Sequence, residues 1–287
     1  MKSLLNLVLF LVLFSLSNIL LAQEDNGIFK NGEFIKNSDA FLFADNVNIR
    51  ETPSTKAKVI ANLSIATPVK IISKTNDTLT VNGYNTYWYK ISFDKNGSKK
   101  TGYVWGGFIS VFTTTTTNDS GNNVCFLFTI TEYSEKIGFT ALLKAVVNGK
   151  IVSTVSVKPH DTDQNNGIYS YDIDGKIMSN KGLDNVKKII VISFLYPACG
   201  YSNGDVIVFW NGKNLIYGTE SPSVSEAGIF NFSSELIFPT NHEGKPNKVI
   251  RKEETVNYDD DGNISSNSMK KIEYIWDGKK LVKQDND

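Results

Sequence analysis

Cys199 stands in the tight segment Pro197-Ala198-Cys199-Gly200-Tyr201 between two apolar runs, a setting that could hold a nucleophile on a turn. Thiolate chemistry needs a base within hydrogen-bond reach. The chain supplies only His160 and His242, both in polar stretches without a recognisable partner motif. A structural half-cystine or a buried thiol is therefore the preferred reading of Cys199. Asp161-Thr162-Asp163-Gln164-Asn165-Asn166-Gly167 carries oxygen ligands at alternate positions, with Asp172 at the twelfth, which is the layout of a calcium loop. The sharp-turn glycine comes one place late, Asp replaces the bidentate Glu, and no flanking helix is signalled, so no metal site is assigned. Asp259-Asp260-Asp261-Gly262-Asn263 reads as a solvated hairpin turn. Two histidines and two cysteines leave few ligands for zinc and few parts for a triad. No catalytic residue and no cofactor are expected.

The elements that carry these residues begin after a segment that lies outside the fold. Met1-Lys2-Ser3 precedes an apolar run over 4–21, which closes on Leu20-Leu21-Ala22 and polar Gln23-Glu24-Asp25-Asn26. That is the layout of a signal peptide over 1–22, cleaved before Gln23, and it predicts an exported protein, periplasmic or extracellular, with no stable membrane insertion after cleavage. Charge is balanced, 30 Lys+Arg against 30 Asp+Glu, with no long basic run, which excludes a binder of nucleic-acid phosphates. Export would permit a disulfide between Cys125 and Cys199; two buried free thiols are the equal alternative.

Residues 23–38 read as a flexible lead-in. Residues 113–123, five threonines followed by Asn118-Asp119-Ser120-Gly121-Asn122-Asn123, hold no core-forming side chain and read as a linker. The division predicted is a domain over 39–112 and a β-rich domain over 124–287. Both show short β-rich runs, among them 47–49, 69–72, 87–93, 124–130, 189–195 and 206–210. These are bounded by Asn96-Gly97, Asn148-Gly149, Asp174-Gly175, Asn211-Gly212, Asp261-Gly262 and Asp277-Gly278. Asn-Gly and Asp-Gly are strong hairpin signals because both central residues of a type I′ turn need positive φ. The fold class is all-β: a small barrel followed by an antiparallel sheet or sandwich. A hairpin occurs twice, Val208-Phe209-Trp210-Asn211-Gly212-Lys213-Asn214-Leu215-Ile216 and Tyr274-Ile275-Trp276-Asp277-Gly278-Lys279-Lys280-Leu281-Val282. Each tryptophan reads as a hairpin anchor.

Val47-Asn48-Ile49-Arg50-Glu51-Thr52-Pro53-Ser54, Val59-Ile60-Ala61-Asn62-Leu63, Trp88-Tyr89-Lys90-Ile91 and Gly102-Tyr103-Val104 with Phe108-Ile109 come in the order and at the spacing of bacterial SH3-like domains. The segment 39–112 resembles that family. It departs from the pattern where the usual glycine becomes Ala66-Thr67-Pro68, where a second Trp becomes Tyr103, and in an insertion over 75–86 that brings in Tyr84. The resemblance implies a small barrel acting as a targeting module for peptide, peptidoglycan or an envelope protein. An aromatic groove would serve this by stacking and polar tips. The candidate ligand-binding residues are Tyr84, Tyr87, Tyr89, Trp105 and Arg50; Trp88 reads as core. The reading as a whole is an exported, non-enzymatic binding protein. Its rivals are a cell-wall hydrolase with a C-terminal catalytic domain and a protein–protein scaffold.

Overall fold

The computed structural model describes residues 27–136, 138–158 and 171–284; the signal segment, His160 and the acidic loop 161–167 lie outside them. The fold is all-β, with no α-helix among the described residues. A short hairpin comes first, β1 (Phe29–Lys30) and β2 (Glu33–Phe34). Six strands follow: β3 (Asp39–Phe41), β4 (Val47–Arg50), β5 (Val59–Leu63), β6 (Pro68–Val81), β7 (Tyr84–Lys95) and β8 (Ser98–Trp105). They form a curled half-barrel in the order β3-β6-β7-β8-β4-β5. Strand pleating turns Val47 and Ile49 inward and leaves Asn48 exposed. Asn96 and Gly97 join β7 to β8 at φ of 54° and 75°, the positive values a type I′ turn demands.

A second sheet, ordered β12-β11-β10-β9, contains β9 (Phe112–Thr117), β10 (Asn123–Ser134), β11 (Gly138–Val147) and β12 (Lys150–Val157). Here the expected linker is corrected: Thr113–Thr117 pair residue by residue with Asn123–Leu127 of β10. Threonine is β-branched, stiff at χ1 and suited to a half-buried strand, so a tract without apolar side chains still makes an edge. The lead-in is corrected too. Phe29 and Phe34 are buried and edge to face with each other at 5.1 Å, and Phe34 is edge to face with Tyr89 at the same distance.

The third sheet is a ten-stranded antiparallel meander in which β1 and β2 flank β13 (Asp172–Met178), β14 (Lys188–Leu195), β15 (Asn203–Trp210), β16 (Leu215–Glu226), β17 (Phe230–Ile237), β18 (Lys248–Tyr258), β19 (Ile264–Trp276) and β20 (Leu281–Lys283). Asp174-Gly175, expected as a turn, lies inside β13. A Cβ at Gly175 would stand 2.3 Å from the Val191 carbonyl and 2.8 Å from the Phe112 ring, so glycine there permits close approach rather than a turn. The duplicated hairpins are real and chemically alike. Asn211 Oδ1 accepts the Lys213 and Asn214 amides, and Asp277 Oδ1 accepts the Lys279 and Lys280 amides. Trp210 and Trp276 anchor them, buried against Phe126 and Phe209.

Continuous apolar runs mark strands buried on both faces. In β10, Phe126 and Phe128 meet Trp210 and Phe194 of the large sheet, while Cys125 and Leu127 pack with Phe43 and Ile65 of the half-barrel. In β14 and β15, Ile190, Ile192, Val206 and Val208 join that same core, whereas Ile189, Val191, Ile207 and Phe209 join a second one beneath the curl of the meander. The half-barrel is stitched to β10 by Ser110, fully buried. Its hydroxyl accepts the Phe128 amide at 2.9 Å and faces the Phe112 and Phe128 carbonyls. The inserted β6–β7 tip adds a clasp, where the Tyr133 amide donates to the Asn82 carbonyl and a Cβ on Gly83 would strike the Tyr133 carbonyl at 2.1 Å.

Two expectations follow for stability. Ser110→Ala leaves the Phe128 amide buried without its acceptor and should cost about 1–3 kcal/mol in urea unfolding. Ala66 sits at φ 60°, a conformation costly for any residue with a Cβ. Ala66→Gly should therefore stabilise by roughly 0.5–1 kcal/mol, net of glycine's greater unfolded-state entropy, and raise the melting midpoint by roughly 2 °C. A lower midpoint would contradict this.

Candidate functional site

The Asn96-Gly97 turn sets a register in which Trp88 of β7 lies directly across from Trp105 of β8. Both side chains face one cleft of about 310 Å³, although each ring keeps only a few per cent of its surface exposed. The Trp105 indole N–H donates to the Leu79 carbonyl at 2.8 Å, which fixes the ring against the inserted part of β6. Phe108 stands edge to face with Trp105 at 5.2 Å, and Leu79 and Val81 extend the apolar wall.

The rim is polar. Arg50 Nη1 donates to the Ala57 carbonyl at 2.7 Å, tying down the loop that carries Thr55 into the cleft. This one bond leaves the guanidinium further donors. Asp45 caps the Ile65 amide at 3.3 Å, and Asn48 Oδ1 accepts from Asn62 at 3.1 Å, so both rim side chains are held from behind. An aromatic floor with amide, carboxylate and guanidinium groups at its edge can grip a ligand with an apolar face and hydrogen-bonding backbone groups.

Of the five residues expected to bind, Arg50 and Trp105 line this cleft. The other three do not. Tyr84 is buried between Trp105 and Phe139, with ring centroids at 6.0 and 6.3 Å. Tyr89, offered as a ligand-binding residue, is instead fully buried beneath Phe34, whose amide donates to its phenol oxygen at 3.3 Å; burial pushes its pKa far up. Tyr87 is half-buried outside the cleft, with Lys74 Nζ 4.3 Å from its ring centre. Phe108, Asp45 and Asn48 were missed as cleft residues, whereas Trp88, read as core, is buried in the main core with only a small part of its surface towards the cleft. The hairpin register could have placed Trp88 across from Trp105, because a two-residue Asn-Gly turn fixes which residues lie opposite.

Of the two alternatives for the cysteines the structure has free thiols, with Cys125 buried as that reading expected and Cys199 exposed, where it expected burial. Cys125 is held in the core with Phe43, Ile65, Leu127 and Val146, and Cys199 lies in the turn between β14 and β15. Asp172, the twelfth position of the calcium-like spacing, accepts the Asn31 amide at 2.8 Å and so anchors the first hairpin. His242 lies on an exposed turn between β17 and β18.

The model of the bacterial SH3 domain family matches residues 45–110, the span from the cleft's Asp45 to Ser110. This part of the chain is thus a bacterial SH3 domain, a class of binding module, and no family is recognised in the rest. No curated protein and no solved structure matches the chain.

Burial pushes the Cys125 thiol from 9.0 up to about 11. The folded state favours the neutral thiol, so its contribution to stability is intact below about pH 9 and is lost as pH rises towards about 11. At pH 8 a thiol-specific chromophore should modify Cys199 alone, with Cys125 reacting only after denaturation. Equal native reactivity of both would contradict the packing.

Proposed function

We propose that this chain is an exported, non-enzymatic binding protein whose bacterial SH3 domain holds a peptide or peptidoglycan-type ligand of the cell envelope in the Trp88–Trp105 cleft. The observation carrying this reading is the cleft's composition, two tryptophans and Phe108 beneath a rim of Asp45, Asn48, Thr55 and Arg50. Stacking on the indole edges and hydrogen bonds from the rim suit an extended peptide or a sugar–peptide segment. Family membership of residues 45–110 supports a binding role for the same surface. The signal-like segment before Gln23 supports export, and an exported protein with Gln23 at its amino terminus is the expected mass-spectrometric result.

The test is sedimentation of the mature chain with purified peptidoglycan. Phe108→Ala and Asn48→Ala should each lower the bound fraction, with an affinity loss of about tenfold for the aromatic truncation. Tyr87→Ala, outside the cleft, should bind as the parent does. Circular dichroism establishes that each variant is folded. If the intact chain stays in the supernatant, or all three variants bind alike, the reading fails.

A further inference from the structure

The inner face of the half-barrel changes chemistry at one end. Register places Val69 and Ile71 of β6 opposite Phe93 and Ile91 of β7, and all four are buried. Strand alternation carries the same face out to Lys95 on β7 and to Ser98 and Lys100 on β8. Lys95 stands across from Ser98 there, and Phe93 across from Lys100. Ile60 of β5 comes over this face at Gly102, where a Cβ would lie 2.8 Å from its Cδ1. Ile60, Phe93, Lys95, Ser98 and Lys100 line a cleft of about 340 Å³ at the mouth of the half-barrel. That volume is at the small end of ligand sites. The mouth shares no residue with the Trp88–Trp105 cleft. Its floor is apolar, and its rim carries two ammonium groups.

No carboxylate lines this mouth among the described residues. Asp94, next to Lys95 in the chain, belongs to the opposite face. It accepts the Gly97 amide at 2.9 Å and lines a separate cleft with Lys99, Lys70 and Asp39. The bond that Lys95 Nζ makes to the Ile60 carbonyl is long, at 3.5 Å. Lys95 and Lys100 are diagonal neighbours across the hairpin, about 7–8 Å apart at the backbone. Two cations so placed repel each other, and a carboxylate on each removes that repulsion. Alternate side chains of an extended peptide share one face about 6.8 Å apart, which matches the lysine spacing. Glutamate suits the mouth better than phosphate, because its methylenes can cover Ile60 and the edge of Phe93 before its carboxylate meets an ammonium group.

We infer that this mouth is a second binding site, distinct from the Trp88–Trp105 cleft, for an extended acidic peptide with glutamates at alternate positions. One carboxylate pairs with Lys95 and the next with Lys100. The glutamate stems lie on Ile60 and Phe93, and the Ser98 hydroxyl adds a donor at the rim.

The probe is acetyl-Glu-Gly-Glu-amide, titrated calorimetrically into residues 23–287 at low salt. Binding is expected, and acetyl-Gln-Gly-Gln-amide should bind about fivefold or more weakly. Acetyl-Glu-Glu-amide, whose carboxylates point to opposite sides of an extended chain, should also bind more weakly than the probe. Lys95→Met and Lys100→Met should each weaken the probe by about threefold. Lys99→Met, on the opposite face, should leave its binding unchanged. No binding, equal binding by either control peptide, or an equal loss with Lys99→Met overturns the assignment. The peptide arms decide it even if a variant fails to fold. Absence of probe binding alongside retained sedimentation with peptidoglycan would reject this site alone.

Discussion

Everything in this fold depends on β10 being buried on both faces. Phe126 and Phe128 belong to the core shared with the ten-stranded meander, and Cys125 and Leu127 belong to the core shared with the half-barrel. Each such side chain contributes roughly 1.5–3 kcal/mol on burial. A single strand therefore carries apolar attachments on both sides, and neither neighbour can leave without exposing it. Buried Ser110 and the Asn82–Tyr133 backbone bond close the polar side of the same joint. Lys144 shows how tight the joint is. Its ammonium lies 3.9 Å from the centre of the Phe43 ring and bonds that residue's carbonyl, and burial lowers its pKa.

This joint shapes what the SH3 domain can do. Targeting modules on flexible linkers sample orientations freely, whereas here the cleft is fixed to a β scaffold by its own inserted hairpin. The insertion over 75–86 serves two purposes at once. Leu79 and Val81 wall the Trp88–Trp105 cleft, and Asn82 and Gly83 at the tip dock on Tyr133. A departure from the family pattern thus couples the cleft to the rest of the chain.

Strands and turns were largely legible in the sequence. The Asn-Gly pairs at 96–97 and 148–149 adopt the positive φ values read from them, and the SH3-like motifs fall on β4, β5, β7 and β8 as spaced. The Thr tract was illegible because composition measures polarity, while β-branching decides strand formation. Tyr89 was misplaced for another reason. Pleat parity identifies a face but not what covers it, and its cover is Phe34, 55 positions earlier in the chain. Asp174-Gly175 misled because the pair serves turns and close approaches equally well, and only the Phe112 contact tells them apart. The cleft's Trp88–Trp105 pair could be read from hairpin register, but its rim could not, since Asp45, Asn48 and Thr55 converge only once the half-barrel curls.

Differential scanning calorimetry of residues 23–287, set beside the isolated segment 39–112, tests the shared core most directly. A single cooperative transition with equal calorimetric and van't Hoff enthalpies is predicted for the whole chain, and no cooperative transition for the segment. Two separable transitions, one reproduced by the segment alone, would show an independent SH3 domain and contradict the account.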